Sequence, residues 1–159
     1  MELTRAPASA FDMLETLAPN GGRARVTRQR FGEMARQVAE GVAVTVREPG
    51  GRLVCVIGLW PEPDHAEAWL AVGPGFREHL RAGLRATRET LEAIAAEGGC
   101  DRVLTYVREP SGGGDRPGRV AGARMAAWLG FRRIGTEDTR LGSVAVFSRE
   151  FGGAQAHGR

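Results

Sequence analysis

The sequence contains no lysine, although lysine and arginine together number 22. Every basic side chain apart from the histidines is therefore an arginine, and a lysine-dependent phosphate loop of the P-loop type is excluded. Arginine suits phosphate, because its planar guanidinium group forms paired hydrogen bonds with phosphate oxygens. A GC-rich genome would also favour arginine codons, and the sequence leaves both explanations open.

Cysteine is scarce as well, with Cys55 and Cys100 far apart and outside any metal-ligand spacing. This pattern predicts two buried or half-buried thiols, and neither a disulfide nor a metal site. No apolar run approaches the ~20 residues needed to span a bilayer. The N-terminus lacks a basic segment followed by an apolar stretch, so we expect no signal peptide and a cytoplasmic protein.

The order of patterns predicts one domain over residues 1–151 and a disordered tail over 152–159. Helices are predicted over Ser9–Ala18, from Thr27 to Gly41, over Gly75–Glu97 and over Val120–Leu129. In the first of these, Phe11, Leu14 and Leu17 lie three apart, as on the apolar face of a short amphipathic helix. After a short extended start, strands are predicted over Val42–Glu48, Leu53–Trp60, Ala66–Val72 and Arg102–Val107, with two more at the end. This order is typical of an α+β (mixed α/β) fold with helices on both faces of a sheet.

The helix over Gly75–Glu97 connects two predicted strands by a single crossover. We therefore expect Ala66–Val72 and Arg102–Val107 to be parallel neighbours that diverge at their C-terminal ends. Along this helix Phe76, Leu80 and Leu84 have the spacing of a buried stripe, so Leu80 is predicted to face the core.

Two stretches resemble the GNAT superfamily of acyl-CoA N-acyltransferases. In "VGPGFREHLRAGL", the residues Val72, Pro74, Phe76 and Arg77 occupy positions of the family pattern, and Ala82 matches its last position. The stretch "RMAAWLGFRRIG" contains the Leu-Gly-Phe with which a late helix of the family ends. The resemblance covers about the last two-thirds of the chain, which is also similar to small phage-borne GNAT-like proteins.

This resemblance implies a GNAT-like twisted mixed sheet of six to seven strands and acetyl-CoA as acyl donor. The pyrophosphate of the cofactor would lie on free N–H groups at the start of the long helix. The cofactor-binding positions implied by the family are Val72, Phe76, Arg77, Leu80, Arg81 and Ala82. Leu80 replaces a family glycine, and Glu78 would repel a pyrophosphate, whereas Gly73 and Gly75 could let the loop wrap an anion.

Four arginines follow one face of the same helix, at positions 77, 81, 85 and 88. They could bind phosphate, or they could form a solvated face that Glu78, Glu89 and Glu92 neutralise within the helix.

Transfer of an acyl group to an amine requires a base for the ammonium and can use an acid for the leaving thiolate. Glu67 is the first candidate for the base, because a carboxylate near that strand is a common solution in the family. Asp64 and His65 lie in the loop before it. The position of the usual family acid, a tyrosine, is Ala126 here. Tyr106, the only tyrosine, is the remaining candidate for the acid.

These features predict an N-acyltransferase that moves an acetyl group from acetyl-CoA to an amine. The alternative is a GNAT-shaped protein without catalysis that has a role in phage assembly or another binding role, with phage or virion proteins as partners. A third possibility, an arginine-rich nucleic-acid binder, would show binding that falls steeply with salt. The sequence leaves the amine, the acyl group and the oligomeric state open.

Overall fold

The computed structural model describes residues 2–18, 26–109 and 121–152. The strands are β1 (Thr4–Pro7), β2 (Val42–Arg47), β3 (Leu53–Pro61), β4 (Ala66–Val72), β5 (Arg102–Arg108), β6 (Arg132–Thr139) and β7 (Gly142–Glu150). The helices are α1 (Ala10–Thr16), α2 (Arg28–Glu40), α3 (Leu80–Glu97) and α4 (Ala121–Trp128). The Gly-rich loop 110–118 and nearly all of the predicted tail lie outside the described residues.

The strands are hydrogen-bonded in the order β1-β2-β3-β4-β5-β7-β6, which confirms the predicted mixed sheet and α+β fold class. The pairs β1/β2, β2/β3, β5/β7 and β6/β7 are antiparallel. β4 and β5 are parallel, with Ala66 beside Val103 and Glu67 beside Leu104 at the start of both strands. The predicted parallel pair is thus confirmed, and its divergence further along stays a prediction.

The chain divides into two compact units, and the extent of a single domain stays a prediction. The first unit comprises Met1–Pro61 and Ala68–Ile94, and the second comprises Glu62–Glu67 and Ala95–Arg159. No described helix is long and apolar enough to cross a membrane.

The first unit is built around β3, in which every residue from Leu53 to Leu59 is buried. Leu53 and Val56 pack in one cluster with Met13 of α1 and Met34 of α2. A strand buried on both faces has no polar side to alternate with, and this explains the continuous apolar sequence of β3.

The helix α3 meets β3 through a buried polar contact, with the Cys55 sulfur 3.7 Å from the Thr87 hydroxyl. Burial raises the pKa of the Cys55 thiol to about 11. Cys55 is a buried free thiol, and Cys100 is a half-buried one, as the sequence predicts.

Helix α1 turns a different face to the sheet from the one its apolar spacing predicts. Phe11 and Leu17 are exposed, by 73% and 44%, while Met13 is buried. Polar contacts set this rotation, because Arg47 of β2 binds both Asp12 and Glu15 at 2.7 Å. The carboxylate of Asp12 also accepts hydrogen bonds from the Ser9 backbone N–H and the Thr45 hydroxyl, each at 2.8 Å.

In the second unit, the Leu-Gly-Phe sequence forms the C-terminal end of α4. Gly130 has a φ of 90°, and the N–H groups of Gly130 and Phe131 bond to the carbonyls of Ala127 and Ala126. This is a Schellman ending, in which glycine is favoured because the left-handed conformation strains other residues. Leu129 and Phe131 are buried on either side of it.

We expect Asp12→Asn to lower the free energy of unfolding at pH 7 by about 1.5–3 kcal/mol, because the change removes charge-assisted hydrogen bonds. Burial alone would raise the pKa of Asp12, but the bonds from Ser9, Thr45 and Arg47 outweigh burial and hold this pKa below its ordinary value. A carboxylate with a lowered pKa stabilises the fold above its unfolded pKa, and this contribution is lost as the pH falls through the folded pKa.

The stability difference between the two proteins should therefore shrink below about pH 4, near the pKa of an unfolded aspartate. Urea denaturation followed by circular dichroism at several pH values measures this difference. Glu97→Gln, at an exposed position of α3, is the control and should leave the free energy of unfolding at pH 7 unchanged. A difference that stays constant down to pH 2 would contradict the assigned role of Asp12.

Candidate functional site

The turn that follows β4 is held against the backbone of β3. Gly73 donates its N–H to the Val54 carbonyl at 2.8 Å, and Gly75 donates to the Leu53 carbonyl at 2.9 Å. A Cβ atom at Gly73 would lie 2.6 Å from the Leu53 carbonyl oxygen, so no larger residue fits there without a shift. The two glycines therefore serve packing on β3, and the prediction that they wrap an anion is not needed to explain them.

Because of this attachment, the long helix starts at Leu80, five residues after the predicted start at Gly75. The first bond that links the turn to the helix runs from the Gly83 N–H to the His79 carbonyl, at 2.7 Å. Among the described residues, no acceptor is bonded to the backbone N–H groups of Leu80, Arg81 and Ala82. Such free N–H groups at a helix start carry partial positive charge and bind anions.

Three arginines surround this helix start without a carboxylate partner. Arg77, Arg81 and Arg85 are exposed, and none forms a salt bridge with another described residue. The predicted neutralisation within the helix is confirmed only for the pair Arg88 and Glu92, at 3.2 Å.

The other two glutamates of this region are bound by arginines from distant parts of the sequence. Glu78 binds Arg52 at 2.6 Å, and Glu89 binds Arg5 at 2.5 Å. The hydrogen bond from Arg52 lowers the pKa of Glu78, so its charge is kept and compensated. The repulsion that the sequence predicts between Glu78 and a pyrophosphate is therefore reduced, and the positive charge of the three free arginines is not cancelled.

The prediction that Leu80 faces the core is wrong, because its side chain is 48% exposed. The helix starts at Leu80, and its first turn therefore has a different rotation from a helix that starts at Gly75. Phe76 is buried, and it occupies the space beside Gly83, where a Cβ atom would lie 3.1 Å from the ring. Val72 is 46% exposed, so the predicted cofactor positions divide into one core residue, Phe76, and five that are at least partly accessible.

A second polar group lies beside the same turn. Glu48, Glu78 and His79 place ligand-type atoms within 4.8 Å of one another, and Glu48 Oε1 lies 3.0 Å from His79 Nε2. His79 is half-buried. Arg52 already supplies positive charge to this group through Glu78, and we therefore assign it a structural role in fixing the turn.

The two predicted catalytic residues, Glu67 and Tyr106, lie on one face of the second unit. Glu67 is paired with Leu104 of β5, and Tyr106 follows Leu104 by two residues. Residues two apart on a strand point to the same face, and paired residues of neighbouring strands do so as well. The side chains of Glu67 and Tyr106 are 36% and 38% exposed, the latter for the whole residue, so both are accessible.

Burial and nearby carboxylates keep the Tyr106 hydroxyl protonated. Partial burial raises its pKa, and the negative charges of Glu67, Glu137 and Glu62, with a hydrogen bond to Glu67, raise it further. A neutral hydroxyl can donate a hydrogen bond or a proton to an atom that becomes negative.

His65, from the loop before Glu67, belongs to the same group of side chains. Its Nδ1 atom lies 2.6 Å from Asp64, and its Nε2 atom lies 3.8 Å from the Glu67 carboxylate. The Nε2 atom is buried and has no hydrogen-bond partner among the described residues. The succession Asp64, His65, Glu67 was visible in the sequence, but only the loop conformation brings the imidazole toward Glu67.

The position of the usual family tyrosine offers no alternative acid. Ala126 is buried in α4, with an exposed fraction of 4%.

We expect Gly73→Ala to lower the free energy of unfolding by about 1–3 kcal/mol, the usual cost of overpacking. The added methyl group must push the turn away from the Leu53 carbonyl, and this displaces the start of α3. Thermal denaturation measures the loss. Gly32→Ala, at an exposed position of α2 with open space around it, is the control and should not destabilise. Equal effects of the two changes would show that the turn is not pinned at Gly73.

Several solved structures have a fold similar to that of this chain. The ribosomal-protein-S18-alanine N-acetyltransferase of Escherichia coli superposes with a TM-score of 0.68 at 14% identity, over 99% of each chain. A protein of Desulfovibrio desulfuricans assigned to the GNAT family gives 0.66 at 15% identity, over 94% of this chain and 98% of the other.

A third structure, of yncA from Salmonella typhimurium with its cofactor acetyl-CoA, gives a TM-score of 0.65 at 15% identity. It covers 97% of this chain and 96% of the other. No family model matches the sequence, and no curated protein matches it either. The likeness at this identity concerns the architecture, and the chain has the fold of the GNAT acetyltransferases.

Proposed function

We propose that the protein is an acyl-CoA-dependent N-acyltransferase that transfers an acetyl group from acetyl-CoA to an amine. The observation that carries the proposal is the start of α3, where, within the described part of the chain, backbone N–H groups without acceptors coincide with three arginines without carboxylate partners. A site with this charge and these donors suits the pyrophosphate of a coenzyme A thioester. The glutamates that would oppose such a ligand are bound by Arg52 and Arg5.

The residues that would hold the cofactor act through two kinds of group. The N–H groups of Leu80, Arg81 and Ala82 would bind phosphate oxygens along the helix axis, where the helix dipole adds to their partial charge. The guanidinium groups of Arg77 and Arg81 would add charge-assisted hydrogen bonds. When bound, acetyl-CoA supplies an activated thioester as the acyl donor.

The chemistry we propose for the second unit is proton transfer. The Glu67 carboxylate would accept the proton of the ammonium group, directly or through a water molecule, which frees the nitrogen lone pair to attack the thioester carbonyl. The His65 Nε2 atom lies 3.8 Å from this carboxylate, beside the proposed base. The Tyr106 hydroxyl would donate a proton to the departing thiolate.

The competing proposal is a GNAT-shaped protein that binds a partner and does not catalyse. One observation favours it: Leu80 is exposed at the position of the family glycine, and side chains in a helix lean toward the N-terminus, so Leu80 leans over the donors of the first turn. Binding of acetyl-CoA and turnover, measured separately, distinguish the two proposals.

We expect isothermal titration to show acetyl-CoA binding to the native chain, and Arg81→Ala to weaken it by about 1.5–3 kcal/mol, or roughly 10- to 100-fold in Kd. Arg28→Ala, which removes an exposed arginine from α2, is the matched control and should leave the Kd unchanged. Absence of binding at millimolar acetyl-CoA would favour the non-catalytic proposal over the enzyme proposal.

The same titration with Leu80→Gly tests whether the leucine closes the site. Because Leu80 is exposed, this change should cost only about 1 kcal/mol of stability or less, mainly in backbone entropy. Unchanged affinity would show that the donors are already accessible. A clear gain in affinity would show that the native protein covers its own donors, and the enzyme proposal would then fail.

We expect Glu67→Gln to lower kcat by about 10²–10⁴-fold at neutral pH, the usual contribution of a general base. The deficit should shrink at alkaline pH, where the amine loses its proton without help. Release of free CoA in the presence of a panel of primary amines, including polyamines and peptides with a free α-amine, measures the rate. Tyr106→Phe should slow turnover and leave the acetyl-CoA Kd unchanged.

Glu150→Gln, at an exposed end of β7, is the control for a change of charge. A Glu67→Gln protein as active as the native chain across the pH range would remove Glu67 from the mechanism.

A further inference from the structure

Among the strands that the structure describes, β6 forms one edge of the sheet. It is the last strand in the order and is hydrogen-bonded to β7 on one side. All eight of its residues are exposed. On an antiparallel edge strand, every second residue directs its N–H and C=O groups away from the sheet, where another strand can pair with them.

Charge is distributed along β6 by sign. The strand begins with Arg132 and Arg133 and ends near Glu137 and Asp138. Arg133 binds Glu109 at 2.5 Å, and Asp138 accepts a hydrogen bond from Ser143. Arg132 and Glu137 form no ion pair with a described residue, although both are exposed.

These two residues also share a face of the sheet. Arg132 is opposite Ser148 of β7, and Glu137 is opposite Val144. Ser148 and Val144 are four residues apart on one strand and therefore point the same way. The irregular register at Ile134, between Arg133 and Gly135, keeps Arg132 and Glu137 on one face although they are five residues apart.

An antiparallel copy of β6 matches this pattern. If a two-fold axis perpendicular to the sheet passes between Ile134 and Gly135, Arg132 of each copy lies opposite Glu137 of the other. The pairing then places two ion pairs on the same face, and it places Arg133 opposite Thr136 on the other face. Charged residues often protect edge strands from pairing, but segregated charges of opposite sign attract in this one orientation.

Exposed hydrophobic side chains lie at the places that this pairing would cover. Ile134 is 47% exposed beside the axis. Trp128, 46% exposed, ends α4 shortly before β6, and Leu141, 84% exposed, lies just after it. An antiparallel pair brings the end of one β6 to the start of the other, so Leu141 of each copy would approach the Trp128 region of its partner.

We propose that β6 is the interface of a two-fold symmetric homodimer, in which β6 strands of two copies pair in antiparallel orientation and Arg132 of each copy binds Glu137 of the other. Such an interface is self-complementary, as a two-fold axis requires.

Sedimentation analysis of the full chain over a micromolar to millimolar range tests this interface. We expect a reversible dimer of twice the chain mass that weakens as salt rises, because the contacts are partly ionic. Arg132→Glu places two pairs of glutamates face to face and should raise the dimer Kd at least about tenfold, and Glu137→Arg should do the same with arginines. The double variant Arg132→Glu/Glu137→Arg restores the attraction and should dimerise as the native chain does.

Arg28→Glu, on α2, makes the same charge change away from the edge and should leave the dimer intact. Circular dichroism of each variant shows whether it is folded, so that loss of the dimer is not mistaken for unfolding. A native chain that stays monomeric over the whole range would overturn the proposal. A dimer that tolerates both single changes, or a double variant as weak as the single ones, would overturn it as well.

Discussion

Two backbone hydrogen bonds, from Gly73 and Gly75 to the carbonyls of β3, fix the part of this protein to which we assign a function. They bring the turn so close to β3 that a side chain at Gly73 has no space. The turn consequently runs along the strand before α3 can start, and the helix begins with N–H groups that bond to no described acceptor. If the turn moved away, the donors, the arginines around them and the buried ring of Phe76 would all change position together.

The charge at the start of α3 depends on which glutamates are paired with arginines from other parts of the first unit. The sequence contains as many acids as arginines around α3, and a reading of the helix alone would pair them with one another. Tertiary contacts instead assign Glu78 to Arg52 and Glu89 to Arg5. Positive charge thereby remains at the helix start, although the helix sequence contains nearly equal numbers of acidic and basic residues. This remaining positive charge favours an anionic ligand.

The fold was predictable to the extent that it depends on local patterns. The bounds of β4 match the prediction, since its ends are marked by a proline-rich loop and a glycine. The Leu-Gly-Phe sequence was recognisable because a helix ending of this kind requires a glycine at Gly130. The start of α3 was not predictable, because the residues from Gly75 onward have helical spacing, and only their bonds to β3 prevent them from being helical.

The candidate site was predictable in its residue types and less so in their orientation. Periodicity placed Leu80 and Phe11 on buried faces, but a face is buried only if a neighbouring element covers it, and both side chains are exposed. The pairing of Glu67 with Leu104 depends on a register between strands that are far apart in sequence, which no local pattern determines. The sequence places His65 in the loop before Glu67, but the distance between the two side chains depends on the conformation of that loop.

The buried Cys55 has a practical consequence for studying this molecule. At neutral pH the Cys55 thiol is protonated and buried. Thiol reagents react with the thiolate form of cysteine, which is the nucleophile. Cys100 is half-buried, and we expect it to react with a fluorophore or spin label before Cys55, which is buried and reacts only when the first unit opens. The rate at which Cys55 is modified therefore reports how often β3 becomes exposed to solvent.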